Sequence, residues 1–198
     1  SAAHAGCTER AGRNGRLPGG ARVFNAARRI ATAHGEGRAT VGEFHVAPNS
    51  RNVVPGEVRM TLDIRHPDDT LRDAMDAQLQ AAVREAAAAE GLDFRLDPVL
   101  VQPATPFDAG CIERVRDAAR REGLAQLDIV SGAAHDAVAI ARIAPVGMIF
   151  VPCAGGISHN EAESATPEDL AAGCQVLLHA PSSARNEHGR GDRSEEHT

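Results

Sequence analysis

The sequence predicts a mixed fold: a small α+β unit, an antiparallel sheet with two helices on one face, followed by part of an α/β unit. Two observations predict it. Up to residue 103, a helical repeat is followed by strand, strand, helix and strand patterns. Over 104–180, short apolar runs alternate with helical repeats, which is typical of a parallel sheet. We therefore expect domains at 1–103 and 104–180, and a polar tail without fixed structure at 181–198.

The elements of the first unit follow from its apolar spacing. Apolar residues three and four apart predict the first helix, and a four-residue repeat after Pro67 predicts the second. Strict alternation places Val58, Met60, Leu62 and Ile64 on one face of a strand. In chain order we expect a Gly- and Arg-rich loop at 7–20, a helix at 21–33, strands at 40–46 and 57–66, a helix at 71–91 and a strand at 94–101.

The second unit has a different spacing of apolar residues, with short apolar runs between helical repeats. Thr166 and the Pro-Glu-Asp that follows form a cap and first turn, so a helix begins there. The apolar run at 146–151 is typical of a buried strand. The other elements expected are helices at 109–122 and 137–142 and a short strand at 128–130.

Composition narrows the classes of function. The chain has a net charge of −6, a pI near 5.8, no Trp or Tyr and five Phe. It lacks the basic, aromatic surface of a nucleic-acid-binding protein, so we expect no such partner. It also lacks a run of about 18 apolar residues and a signal-peptide pattern, so we expect no membrane association and a cytoplasmic location. The four cysteines are scattered, which favours reduced thiols.

Two segments that directly follow expected strands contain residues suited to metal or anion binding. GGISHNEAE, which contains His159, places an imidazole and two carboxylates after the strand at 146–151 and suits metal binding. A surface loop with an incidental histidine explains this segment about as well. In SGAAHDA, backbone N–H groups at a helix start suit an anion. A simple helix cap is nevertheless the favoured interpretation of Asp136, and a structural role is an alternative for His135. A nucleophilic site that uses Ser131 or Cys153 lacks a supporting motif and ranks below metal chemistry.

Two further segments border the strands of the first unit. PNSRNVVPG is a polar turn that includes Asn52, and by itself it predicts no more than a turn. Arg65 ends a strand. Its guanidinium suits a carboxylate ligand, and an ion pair with Asp63 or Asp68 is the simpler alternative.

The order of these motifs is more specific than any one of them. His-Ala-Gly at 4–6, PNSRNVVPG, LDIRHPDD, SGAAHDA and IFVPCAGGISHNEAE together resemble the amidase, hydantoinase and N-carbamoyl-L-amino-acid hydrolase branch of the metal-dependent M20 peptidase superfamily. The resemblance covers about 3–179. It implies a catalytic domain with two divalent metal ions (zinc, manganese, cobalt or nickel), interrupted by a lid domain that forms a homodimer.

The resemblance also implies roles for single residues. His159 matches the last metal ligand of the family. His4 and Asn52 match lid residues that face the developing oxyanion, with His4 as the catalytic one, and Arg65 matches the residue that holds the substrate carboxylate. Gly132 and Ala133 belong to a segment that lies beside the substrate. In this reading residues 1–103 are the lid and 104–180 are the last part of the catalytic domain.

The other metal ligands and the general base of the family precede its lid, and this chain has no match for them. Residues 7–20 also depart from the Thr-Thr-Pro-Met that usually follows His-Ala-Gly. The expected function is therefore that of a C-terminal piece, inactive alone, of a hydrolase acting on a linear amide or carbamoyl C–N bond. Its expected substrate is a small carboxylate: an N-carbamoyl-L-amino acid, a ureido acid or allantoate. The alternative is a non-catalytic α+β module for dimerisation or small-ligand binding, since 17–103 reads as a plausible stand-alone unit.

Overall fold

The computed structural model describes residues 3–4 and 15–180, and the chain divides into two units after Ala104. The expected tail at 181–198 and most of the expected loop at 7–20 lie outside the described residues. The roles of the two units, lid and catalytic part, stay predictions. In chain order the first unit contains β1 (Ala3–His4), α1 (Arg16–Ala33), β2 (Arg38–Ala47), β3 (Val53–Val54), β4 (Glu57–Arg65) and α2 (Asp69–Glu90).

The main sheet of the first unit is the antiparallel pair of β2 and β4. Its register runs from Arg38 opposite Arg65 to Ala47 opposite Glu57, with an irregularity between Val41 and Phe44. Burial alternates along β4, and Met60, Leu62 and Ile64 pack against the core residues of α1 and α2. The expected strands at 40–46 and 57–66 are confirmed, as is the apolar face of β4.

The core of this unit lies between the two helices and the sheet. It comprises Val23, Ala26, Ala27, Ile30 and Ala31 of α1 with Met75, Leu79 and Ala86 of α2. Asp68 begins α2 by accepting hydrogen bonds from the N–H groups of Thr70 and Leu71. Gly91 ends it in the left-handed conformation, at φ 59°. The helix expected at 71–91 is confirmed, and it begins two residues earlier, at Asp69.

Helix α1 begins at Arg16, so the expectation of a loop is wrong for residues 16–20. Glycines lower helix propensity by about 1 kcal/mol each. Here Gly19 and Gly20 are buried, and a Cβ on Gly20 would lie 2.9 Å from a methyl carbon of Val58 in β4. The helix contains glycine at this point because its backbone packs directly against the sheet.

The elements assigned in the second unit, over its described residues, are all helical. It contains α3 (Ala109–Arg121), α4 (Asp136–Ile140), a short 3₁₀ turn (Ala154–Gly156) and α5 (Pro167–His179). Asp108 caps α3 by accepting from the N–H of Cys111, and Thr166 caps α5 by accepting from Asp169. A small core joins α3 to α5 through Ala118, Ala119, Val176 and Ala180. The predicted helices are confirmed, with α4 shorter and earlier than expected.

Three expected strands are wrong: the structure assigns no strand at 94–101, 128–130 or 146–151. A strand forms only where its N–H and C=O groups meet those of a neighbouring strand. No described segment pairs with these three, and apolar side chains stay exposed, with Val99 95% and Ile129 56% accessible. The parallel sheet expected in the second unit is therefore absent from residues 105–180. Within the described part of the chain, no helix combines the length and apolar character needed to cross a bilayer.

Candidate functional site

A second, very short strand pair brings two of the predicted site residues together. β1 pairs antiparallel with β3, so that His4 lies opposite Val53, which directly follows Asn52. The connection that carries Asn52 closes where the Gly56 N–H donates to the Ala47 carbonyl at 2.8 Å. Ser50 donates from its Oγ to Asn52 Oδ1 at 3.1 Å. The backbone of His4 and the amide of Asn52 therefore belong to one local substructure, which the turn pattern alone does not predict.

Arg65 ends β4 on the face opposite the core and forms an ion pair with Asp63. Its Nε donates to both carboxylate oxygens at 3.0 and 3.1 Å, and its Nη2 donates to Oδ2 at 2.5 Å. Hydrogen bonding from this guanidinium lowers the pKa of Asp63 below its usual value, although slight burial acts in the opposite direction. Both side chains remain about half exposed. The pairing that the sequence left open for Arg65 is therefore with Asp63.

Gly132 and Ala133 lie in the loop before α4. The Ser131 hydroxyl donates to the Ala133 carbonyl at 2.9 Å and accepts from the Ala133 N–H at 3.3 Å. This hydroxyl is therefore engaged in a local turn.

The start of α4 differs from the expectation. The N-cap residue is His135, whose side chain makes no capping bond, and Asp136 is the first helical residue, so Asp136 as the cap is wrong. The His135 ring instead meets the edge of Phe150, with 6.1 Å between ring centroids and an interplanar angle of 72°.

His159 sits in a loop closed by a hydrogen bond from the Ala154 N–H to the Ser164 carbonyl at 2.8 Å. It adopts φ 58°, a left-handed conformation that is uncommon for a residue with a side chain. Its backbone N–H donates to Glu163 Oε2 at 2.7 Å, and this bond holds the conformation. Its Nδ1 lies 3.1 Å from the Ser158 hydroxyl. The imidazole is exposed, and Nε2 is the nitrogen suited to a metal ion.

The described side chains do not by themselves form a metal centre. Among them, no group of three or more His, Cys, Asp or Glu residues lies close enough together to hold an ion. Of the predicted site residues, the first unit holds His4, Asn52 and Arg65, and the second holds Gly132, Ala133 and His159. From the sequence, Asp63 was expected only as a surface ion-pair partner of Arg65. The sequence signal for Asp63 as a member of the candidate site was its position two residues before Arg65, on the same face of the strand.

Comparisons with known proteins define the class of this chain. A model of peptidase family M20/M25/M40 matches residues 9–182, so the chain belongs to this family. It is 44% identical over 140 residues to N-carbamoyl-L-amino-acid amidohydrolase of Rhizobium meliloti, covering 71% of this chain and 34% of that protein. It is 37% identical over 150 residues to a probable allantoate deiminase of Oryza sativa subsp. japonica, covering 70% and 30%.

The solved structures agree with these relatives. An amidase of the hydantoinase/carbamoylase family from Burkholderia multivorans matches with a TM-score of 0.87 and 49% identity, over 92% of this chain and 45% of that one. The chain thus spans less than half the length of the proteins it matches. The resemblance to the amidase and carbamoylase branch of the family is confirmed.

Proposed function

We propose that this chain is part of a metal-dependent amidohydrolase that cleaves a linear amide or carbamoyl C–N bond in a small carboxylate substrate. The observation that carries the proposal is the 44% identity to an N-carbamoyl-L-amino-acid amidohydrolase. N-carbamoyl-L-amino acids, ureido acids and allantoate are the substrates proposed. All three carry a carboxylate, which suits a guanidinium at the position of Arg65.

The proposed roles are those that the family resemblance implies for each residue. Arg65, half exposed at the end of β4, binds the substrate carboxylate. His4 and Asn52, whose backbone segments meet through the pairing of β1 and β3, are the residues proposed to stabilise the oxygen that gains negative charge as the carbonyl is attacked. Gly132 and Ala133 border the substrate in the second unit.

His159 is proposed as one ligand of a site for two divalent ions, which are zinc, manganese, cobalt or nickel. Among the described residues, no group of three or more His, Cys, Asp or Glu lies close enough together to complete such a site. Because the relatives are more than twice as long as the matched region, we propose that the remaining ligands and the general base lie outside these 198 residues. The chain is then a C-terminal piece, with the first unit as lid and the second as part of the catalytic domain.

We also propose that the protein forms a homodimer through its first unit. The segment at 94–101, which has no described strand partner, presents Val99 and Leu100 at 95% and 81% exposure. An unpaired, apolar, extended edge favours pairing with a second chain. These exposed residues support association through the first unit.

The test uses the full-length protein from the source gene. It is assayed with N-carbamoyl-L-amino acids, a ureido acid and allantoate, before and after chelation and with each of the four metals restored. We expect hydrolysis that chelation abolishes and metal restores, and near-complete loss of activity in His159→Gln. His45→Gln is the control, since His45 is an exposed histidine that pairs with Glu43 at 3.5 Å. Hydrolysis of none of these substrates, or unchanged activity and metal content in His159→Gln, would contradict the proposal.

A further inference from the structure

The polar face of β4 carries an Asp–Arg pair at its end. Asp63 and Arg65 are two residues apart and therefore point to the same side of the sheet. Three donor–acceptor distances between 2.5 and 3.1 Å join the Nε and Nη2 atoms of Arg65 to the Asp63 carboxylate. The contact is a side-on, bidentate one, which fixes the plane of the guanidinium as well as its position.

This contact has an orienting effect because arginine is long and flexible. An exposed arginine loses rotamer freedom when a ligand immobilises it, and a neighbour that already holds the side chain reduces that loss on binding. A guanidinium has two edges that each match a carboxylate, the edge of Nε and Nη2 and the edge of Nη1 and Nη2. Asp63 contacts the first of these edges. It thereby turns the second edge in one direction along the sheet face.

The neighbouring strand adds an electrostatic reason for a carboxylate at this position. Arg38 of β2 lies directly opposite Arg65 in the register. Like charges at directly opposed positions of a sheet are destabilising. The negative charge of Asp63, paired with Arg65 at 2.5 Å, offsets this repulsion.

We propose that Asp63 is a positioning residue that aims the guanidinium of Arg65 at the carboxylate of the substrate. This inference rests on the proposed function, because it assumes that Arg65 binds the substrate. Asp63 itself makes no contact with the substrate. Its effect falls on substrate binding rather than on the chemical step.

The experiment compares Asp63→Asn with Asp97→Asn in the full-length enzyme. Asparagine keeps the shape of the side chain and removes its charge and one acceptor. Asp97 is the matched control because it forms the same kind of exposed pair at the same spacing, with Arg95 at 2.6 Å. An N-carbamoyl-L-amino acid is compared with the corresponding N-carbamoyl amino acid amide, and Arg65→Gln is measured alongside.

We expect Asp63→Asn to raise KM for the carboxylate substrate about tenfold, with kcat changed less than about twofold. For the amide substrate neither parameter should change, and Asp97→Asn should match the wild type throughout. An unchanged or lowered KM in Asp63→Asn overturns the inference, and a lowered value shows that Asp63 competes with the substrate for Arg65. If Arg65→Gln raises KM while Asp63→Asn does not, only the positioning role fails. If Arg65→Gln also leaves KM unchanged, the proposed role of Arg65 fails and the inference fails with it.

Discussion

Replacement of Met75 by alanine is expected to destabilise the first unit more than any change at its surface. Met75 lies in α2 with 0% exposure, inside the cluster that joins α1, α2 and the sheet. A Cβ built on Gly37 would lie only 2.9 Å from its sulfur, so the space around the thioether is already filled. Met75→Ala removes the thioether and its methyl group and leaves a cavity that this packing cannot close. Such substitutions cost about 2–5 kcal/mol.

The matched control is Leu71→Ala, one turn earlier in the same helix. Leu71 is 41% exposed, so truncation removes partial burial worth about 1 kcal/mol and creates no enclosed cavity. Both variants are compared with the wild type by urea unfolding and by hydrogen exchange of the amides of α1 and α2. Met75→Ala should lower the unfolding free energy and speed exchange in both helices. If Met75→Ala costs no more than Leu71→Ala, the packing argument is refuted.

Three further predictions concern acid stability, activity and assembly. Backbone N–H groups lower the pKa of Asp68 and Asp108 below the usual 3.8, so the stability they add is present above that value and is lost as the pH falls below it. The urea concentration at the unfolding midpoint should therefore decrease as the pH is lowered below about 4. In Asp68→Asn it should decrease less steeply, and an equal slope in that variant would contradict the cap assignment. The 198-residue chain alone should hydrolyse no N-carbamoyl amino acid when zinc, manganese or cobalt is added, because one imidazole cannot hold two ions. Turnover above a metal-only blank would refute the proposal that the chain is one part of a longer enzyme. In sedimentation equilibrium the full-length protein should be a dimer that Leu100→Asp weakens and Leu127→Asp, at 84% exposure in the second unit, does not; a wild-type monomer would exclude the proposed dimer.

The helices were the elements that the sequence predicted best. Their caps are local: Asp68, Asp108 and Thr166 each accept from an N–H two or three residues ahead. The start of α1 was predicted wrongly because it depends on contacts that are distant in sequence. Gly19 and Gly20 lower local helix propensity, and their place in the helix is explained by contacts with residues far along the chain, Leu92 and Val58.

The candidate site divides in the same way. Sequence motifs pointed to His159, Asn52 and Arg65 as residues with chemistry, and to the family in which that chemistry occurs. They named Asp63 as one of two candidate partners of Arg65, but they did not predict which edge of the guanidinium it contacts, nor that His4 lies across from Val53. These relations depend on strand register and on rotamers, which no spacing in the sequence specifies.

The sequence by itself determined the helices, the buried face of β4 and the membership of the family. Helical hydrogen bonds join residues four apart, so a short window of sequence contains both partners. Only the tertiary structure decided which extended segments become strands. The segments at 94–101 and 146–151 have apolar residues typical of strands, yet no described neighbour supplies the hydrogen bonds of a sheet. A strand is stabilised by a partner distant in sequence, and that partner is not encoded in the strand itself.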